Sequence, residues 1–276
     1  LELDQQFKPE ERALLTEAQH GSAWSVALLL CTCFDAVVRG QGRTFDCDVR
    51  GRDGNRAVHF AARRGDQAMM SVLISARANI NVRNREGETP LLAACKAGHF
   101  DLCALLIDKG ADVKMGNDQG ETPLLAACRA GHFDLCSLLI DKGADVKMGN
   151  DQGETPLLAA CRAGHFDLCA LLVDKGADVK TTGGPLRLRR GPRLGGLRAS
   201  ALAPPETRQR VVSAAGTPEV GRPTLEGLQT KAWCQALVSA APVCVDTPEV
   251  ETPLLAACKA GHFDLCALLI DKGADV

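Results

Sequence analysis

Glu88–Gly120 reads E-T-P-L-L-A-A-C-K-A-G-H-F-D-L-C-A-L-L-I-D-K-G-A-D-V-K-M-G-N-D-Q-G, recurs almost verbatim at Glu121–Gly153, and begins again at Glu154 and at Glu251. The first three copies start 33 residues apart. Self-similarity at one fixed period of this size means a stacked array, because a unit so short cannot bury its apolar face alone and must pile on a neighbour. The chain of 276 residues is therefore read as one continuous rod rather than as one or two closed globules.

The local chemistry of a single copy supports that reading. Thr89 offers a hydroxyl to a free first-turn amide, and Pro90 loses nothing at the first helical position. Leu91 to Cys95 then make a short helix whose small side chains allow close approach by neighbours. Gly98 ends it where a left-handed residue is cheapest. A second helix runs from about Phe100 to Lys109, with Phe100, Leu102, Cys103, Leu105, Leu106 and Ile107 apolar, and Gly110 closes it in the same way. Ala111–Gly120, with Gly116, Asn117, Asp118 and Gly120, is turn chemistry for a projecting hairpin.

This pattern resembles the ankyrin repeat. T-P-L, A-A, G-H, L-L, G-A-D-V and D-x-x-G stand in the family's order and length, well over residues 55–180 and 251–276 and weakly over 9–54. The resemblance implies an all-α solenoid of stacked helix-turn-helix units with projecting hairpin loops. One departure is consistent. The family's T-P-L-H histidine is leucine at Leu92, Leu125, Leu158 and Leu255, and only His59 keeps it. Apolar contact should replace the family's histidine hydrogen bond at those four positions.

Four parts follow. Residues 1–54 are read as a degenerate N-terminal capping repeat with an extended loop. Residues 55–182 hold four repeats (55–87, 88–120, 121–153 and 154–182), 183–250 an insert, and 251–276 a truncated repeat. Aligning Gly21 with Gly98 puts Leu14, Leu15, Val26, Leu28 and Leu29 on apolar positions. From Gly21 to Gly65 is 44 residues, 11 above the period, an excess assigned to a surface loop. The insert is rich in Gly, Pro, Arg and Ala, a composition that buries too little apolar surface to offset ordering entropy, so it reads as disordered apart from a helical turn or two near Thr230–Ala240. Looping it out lets the copy at Glu251 stack on the copy at Glu154, since each doubling of loop length costs only about 0.6 kcal/mol. Its Leu186–Arg198 stretch carries five arginines and no acid. That segment is either a basic linker or translated non-coding sequence that breaks into the array. The chain begins with leucine and ends in mid-repeat, as a fragment of a longer product would.

Composition excludes several classes of function. Net charge is −2, tyrosine is absent and aromatics are 4%, so neither bulk attraction to nucleic acid nor an aromatic stacking platform is available. The apolar run Ala23–Phe34 is short of the roughly 20 residues that span a bilayer. Phosphate-cradling, dinucleotide-binding and H-E-x-x-H motifs are missing. Cys95-x3-His99-x3-Cys103 recurs three more times among thirteen cysteines. Gly98 interrupts the helix that would align those ligands, so buried reduced thiols are expected rather than zinc or a disulfide. No catalytic residue, metal or cofactor is assigned.

What remains is a surface. The resemblance implies that a protein partner binds the concave face of hairpin tips and first helices, which here are Lys96, Met115, Asn117, Gln119, Glu121, Arg129, Met148, Asn150, Gln152, Glu154 and Arg162, with Arg83 extending the row. The expected function is a non-enzymatic interaction or scaffold module in the cytoplasm, with the nucleus as a second location. The alternative is a regulatory or targeting region of a larger enzyme or channel.

Overall fold

The structure is a computed structural model that describes residues 9–38, 47–51, 53–181 and 251–274. The expectations for residues 183–250, including the basic stretch and the helical turn near Trp233, lie outside the described residues.

Twelve helices account for the regular structure of the described residues: α1 (Pro9–His20), α2 (Ala23–Val38), α3 (Ala57–Arg64), α4 (Gln67–Ser75), α5 (Pro90–Ala97), α6 (Phe100–Asp108), α7 (Pro123–Ala130), α8 (Phe133–Asp141), α9 (Pro156–Ala163), α10 (Phe166–Asp174), α11 (Pro253–Ala260) and α12 (Phe263–Asp271). They form two layers. Odd-numbered helices pack on one another in sequence, even-numbered helices do the same, and each odd helix also packs on the even helix that follows it. This is the stacked all-α solenoid that the 33-residue period requires. The odd helices approach most closely, because Ala93, Ala94, Ala126, Ala127, Ala159 and Ala160 are buried at their contacts.

The termini of the odd helices from α5 onward are settled locally. Thr89, Thr122, Thr155 and Thr252 accept the N3 amide through Oγ at 3.2–3.3 Å, with proline at the first helical position. Gly98 closes α5 at φ +75°, and its amide reaches the carbonyls of Ala94 and Cys95. A Cβ there would lie 2.4 Å from the His132 ring of the next repeat. That glycine therefore answers two constraints, one of backbone angle and one of inter-repeat contact. In the hairpins, the Asn117 side-chain oxygen accepts the amides of Gln119 and Glu121, while Asp118 N–H donates to the Glu86 carbonyl of the preceding hairpin at 3.1 Å. The same bond recurs from Asp151 to Gln119 at 3.0 Å, so the hairpins are tied edge to edge.

The repeat that keeps histidine shows what the leucines replace. His59 is fully buried, its Nδ1 accepts the Arg56 amide at 3.1 Å, and its Nε2 donates to the Glu88 carbonyl at 3.0 Å. Arg56 stands there in place of the capping threonine. Where threonine caps the helix, Leu92, Leu125 and Leu158 fill the site as buried apolar side chains.

The N-terminal pair departs from the sequence reading in two ways. Leu28 was placed on an apolar position, yet it is 66% exposed, as Trp24 is at 85%. Val26 is buried, and residues two apart on a helix point about 200° apart, so Trp24 and Leu28 must both face away from it. The extra length after Gly21 is also not all loop. α2 runs for 16 residues where α4, α6, α8 and α10 run for nine. After the insert the array continues: α11 packs on α9 and α12 on α10.

Candidate interaction surface

From α3 onward the last turn of each odd helix carries a Lys or Arg, and the residue before each capping threonine is a glutamate. Stacking places these in one alternating row. Arg63 reaches Glu88 at 2.7 Å, and Lys96 sits between Glu88 at 3.1 Å and Glu121 at 2.9 Å. Arg129 bridges Glu121 and Glu154, Arg162 bridges Glu154 and Glu251, and Lys259 lies 3.7 Å from Glu251. The two kinds of charge are not equally exposed. The carboxylates are 6–14% exposed and the cations 37–48%. Each glutamate lies beneath its cations, which also complement the negative C-terminal end of the helix they stand on.

The charge states follow from this burial. Burial alone pushes the Glu88 carboxyl up, but hydrogen bonds from Arg63 and Lys96 outweigh it and hold the group below its ordinary value. Burial pushes Lys96 down, and Glu121 and Glu88 more than reverse it. Arg129 and Arg162 are likewise raised against burial by their glutamates. Glu88, Lys96, Arg129 and Arg162 are thus each held in the charged form by their partners, and the donors that point outward belong to the cations.

The structure divides the residues singled out in the sequence. Lys96, Glu121, Arg129, Glu154 and Arg162 form the row. Asn117 and Asn150 serve the hairpins internally, and Asn150 is buried along with Glu121 and Glu154. Gln119, Gln152 and Met148 are exposed, Met148 by 44%, while Met115 is half-buried. Arg83 leaves the row for the next hairpin, bonding Gly87 O and Gly116 O at 2.9 and 3.0 Å and Asp118 at 3.1 Å. The sequence reading missed Arg63, Glu88, Glu251 and Lys259. The signal for Glu88, Glu251 and Lys259 was present, a glutamate followed eight residues later by Lys or Arg in each of the four copies that begin with glutamate, whereas Asn55 stands eight residues before Arg63.

A second row links the ends of the even helices: Asp108 to Lys142, Asp141 to Lys175 and Asp174 to Lys272, at 3.3, 3.0 and 2.8 Å. Both partners are exposed there, so each pair contributes little. The Cys/His triplets do not converge. Cys95 and Cys103 lie on different helices, while His99 Nε2 approaches the Arg63 carbonyl of the preceding repeat at 3.2 Å. Among the described residues, no group of three or more His, Cys, Asp or Glu side chains is placed to hold a metal. No helix among them is long and apolar enough to cross a membrane.

Comparison with known proteins agrees with this geometry. Residues 14–117 and 110–182 match ankyrin repeats (3 copies), and residues 251–276 match an ankyrin repeat. No curated protein matches the chain. Repeats of this family are generally protein–protein interaction modules and typically non-catalytic. With paired helices, glycine caps and tied hairpins recurring at the family's period, and with the matches covering well over half its length, the chain belongs to the ankyrin repeat family.

Proposed function

We propose that this chain is a non-catalytic scaffold that holds a protein partner against the concave side formed by its hairpin tips and odd helices. The observation that carries this is the inequality within the charged row: half-exposed cations, one per repeat, over glutamates buried beneath them. Such a strip satisfies its own buried charge and still offers outward donors to an acidic or carbonyl-rich segment. Exposed Met148, Gln119 and Gln152 beside it add an adaptable apolar and polar rim. Because successive repeats present nearly the same residues, the reading favours an extended or repeated ligand engaged at several steps, where linked weak contacts add up. Cytoplasm, then nucleus, is the proposed location, since repeats of this family are often intracellular.

The test is capture of partners by the immobilised full chain, repeated with a Gln119→Ala, Met148→Ala and Gln152→Ala triple variant. None of those three side chains belongs to the charged row, so the fold should be kept, as circular dichroism and urea midpoint would verify. Loss of a captured protein by roughly tenfold or more, about 1.4 kcal/mol, supports the reading. Capture unchanged both in this variant and in Arg162→Gln would refute it.

A further inference from the structure

Eight cysteines form four pairs inside the stack. Sγ of Cys95 lies 3.7 Å from Cys103, Cys128 3.6 Å from Cys136, Cys161 3.7 Å from Cys169 and Cys258 3.3 Å from Cys266. Each pair joins the odd helix of a repeat to its even helix across the turn, and all eight thiols are buried. Packing does not by itself demand a thiol there. In the repeat at 55–87 the corresponding positions are Ala62 and Met70, both fully buried.

We infer that each pair is an oxidisable dithiol that closes to a disulfide within its own repeat, stapling odd helix to even helix, when a two-electron oxidant such as a peroxide is supplied. The fold has already brought the two sulfurs into contact in every copy, so closure is an intramolecular step between preplaced groups. Peroxide oxidises one thiol to a sulfenic acid, breaking its O–O bond and releasing one water. The second thiol displaces hydroxide from that sulfur, forming the S–S bond and releasing a second water. Two S–H bonds are lost and one S–S bond is made. The two electrons end on peroxide oxygen and the two protons in water.

The surroundings decide between this product and a bound soft cation. The hydrogen bond from Cys103, together with burial, pushes the Cys95 thiol well above its ordinary value, and Cys136 and Cys169 act likewise on Cys128 and Cys161. A metal would need thiolates, which this apolar space disfavours, whereas a disulfide is neutral. The same burial makes the reaction slow, since the attacking form is the thiolate. Oxidant must wait for the two helices of a repeat to part locally.

The experiment uses the full chain, fully reduced, incubated with hydrogen peroxide in buffer free of denaturant. Linkages are mapped by mass spectrometry on fragments that keep both cysteines of a repeat together. A parallel sample carries Cys95→Ala with Cys103→Met, the residues that the repeat at 55–87 holds at these positions. The expected result is four links, Cys95–Cys103, Cys128–Cys136, Cys161–Cys169 and Cys258–Cys266, all reversed by dithiothreitol. In the variant the first link is lost and the other three persist. A Cys136→Ala chain should similarly lose only the Cys128 link. The inference is overturned if exposed Cys31 oxidises while these eight thiols survive. It is equally overturned if links cross between repeats, or if they form only after urea is added.

Discussion

Two glycines in the same repeat separate backbone strain from contact between repeats. Gly98 and Gly110 both have left-handed φ, +75° and +90°. A Cβ on Gly98 meets the His132 ring at 2.4 Å, whereas a Cβ on Gly110 meets nothing within 4 Å. Alanine at Gly110 should therefore cost only the penalty of a left-handed non-glycine residue, about 1–2 kcal/mol. Alanine at Gly98 carries that penalty and also displaces a ring held between two repeats, adding about 1–3 kcal/mol of overpacking. The gain from a stiffer unfolded chain, about 0.4–1 kcal/mol, is common to both and cancels in the comparison. Urea unfolding at unchanged m-value gives both costs. The expected outcome is Gly98→Ala less stable than Gly110→Ala by about 1–3 kcal/mol. Adding His132→Ala to Gly98→Ala should return most of that difference, because the two sites share one contact. Equal costs for the two single variants, or no coupling with His132, would refute the claim that repeats lock through this glycine and ring.

Three further outcomes follow from the same geometry. Burial, only partly opposed by the bond to the Glu88 carbonyl, lowers the His59 pKa from its ordinary 6.5 to about 4. The unfolded chain then binds more protons between those values, so this stabilisation is complete above about 6.5 and lost as pH falls towards 4. It amounts to up to about 3 kcal/mol, and His59→Leu should flatten that part of a pH series of urea midpoints. Glu154→Gln removes the buried anion shared by Arg129 and Arg162 and should cost about 1–3 kcal/mol. Asp141→Asn, from an exposed pair with Lys175, should cost about 0.5 kcal/mol or less, and similar midpoints for the two variants would contradict the burial argument. Thr122→Ala, which removes the hydroxyl that accepts the Leu125 amide at 3.2 Å, should cost about 1 kcal/mol by thermal or urea unfolding.

The candidate site was only partly legible in the sequence. Lys96, Arg129 and Arg162 are visible as the one charged residue of an otherwise apolar first helix, and Glu121 and Glu154 as the acid just before a capping threonine. Their relation is not. Glu121 and Arg129 are eight residues apart within one copy, but Arg129 and Glu154 meet only because two copies stack. The family pattern puts all five on one concave face and says nothing of their depth. Depth separates them, since the carboxylates are buried under the cations they neutralise. Asn150 is likewise buried, and its side-chain oxygen accepts the amides of Gln152 and Glu154. Leu28 differs for another reason: it aligns with Leu105, which is itself only partly buried and stands on the flank of its helix rather than on the core face.

The sequence by itself determined the repeating unit, because its signals act within a few residues. Threonine and proline start a helix, glycine ends it, and asparagine folds the hairpin back on its own amides. It also determined that the units must stack, since none can bury its apolar side alone. Tertiary structure alone decided which charges face inward, which thiols touch and which ring covers Gly65, Gly98, Gly131 and Gly164. Those contacts join residues 25 or more positions apart, in copies that stack on one another, or helices that a turn folds together, and their energies depend on a burial that exists only once the copies are in contact.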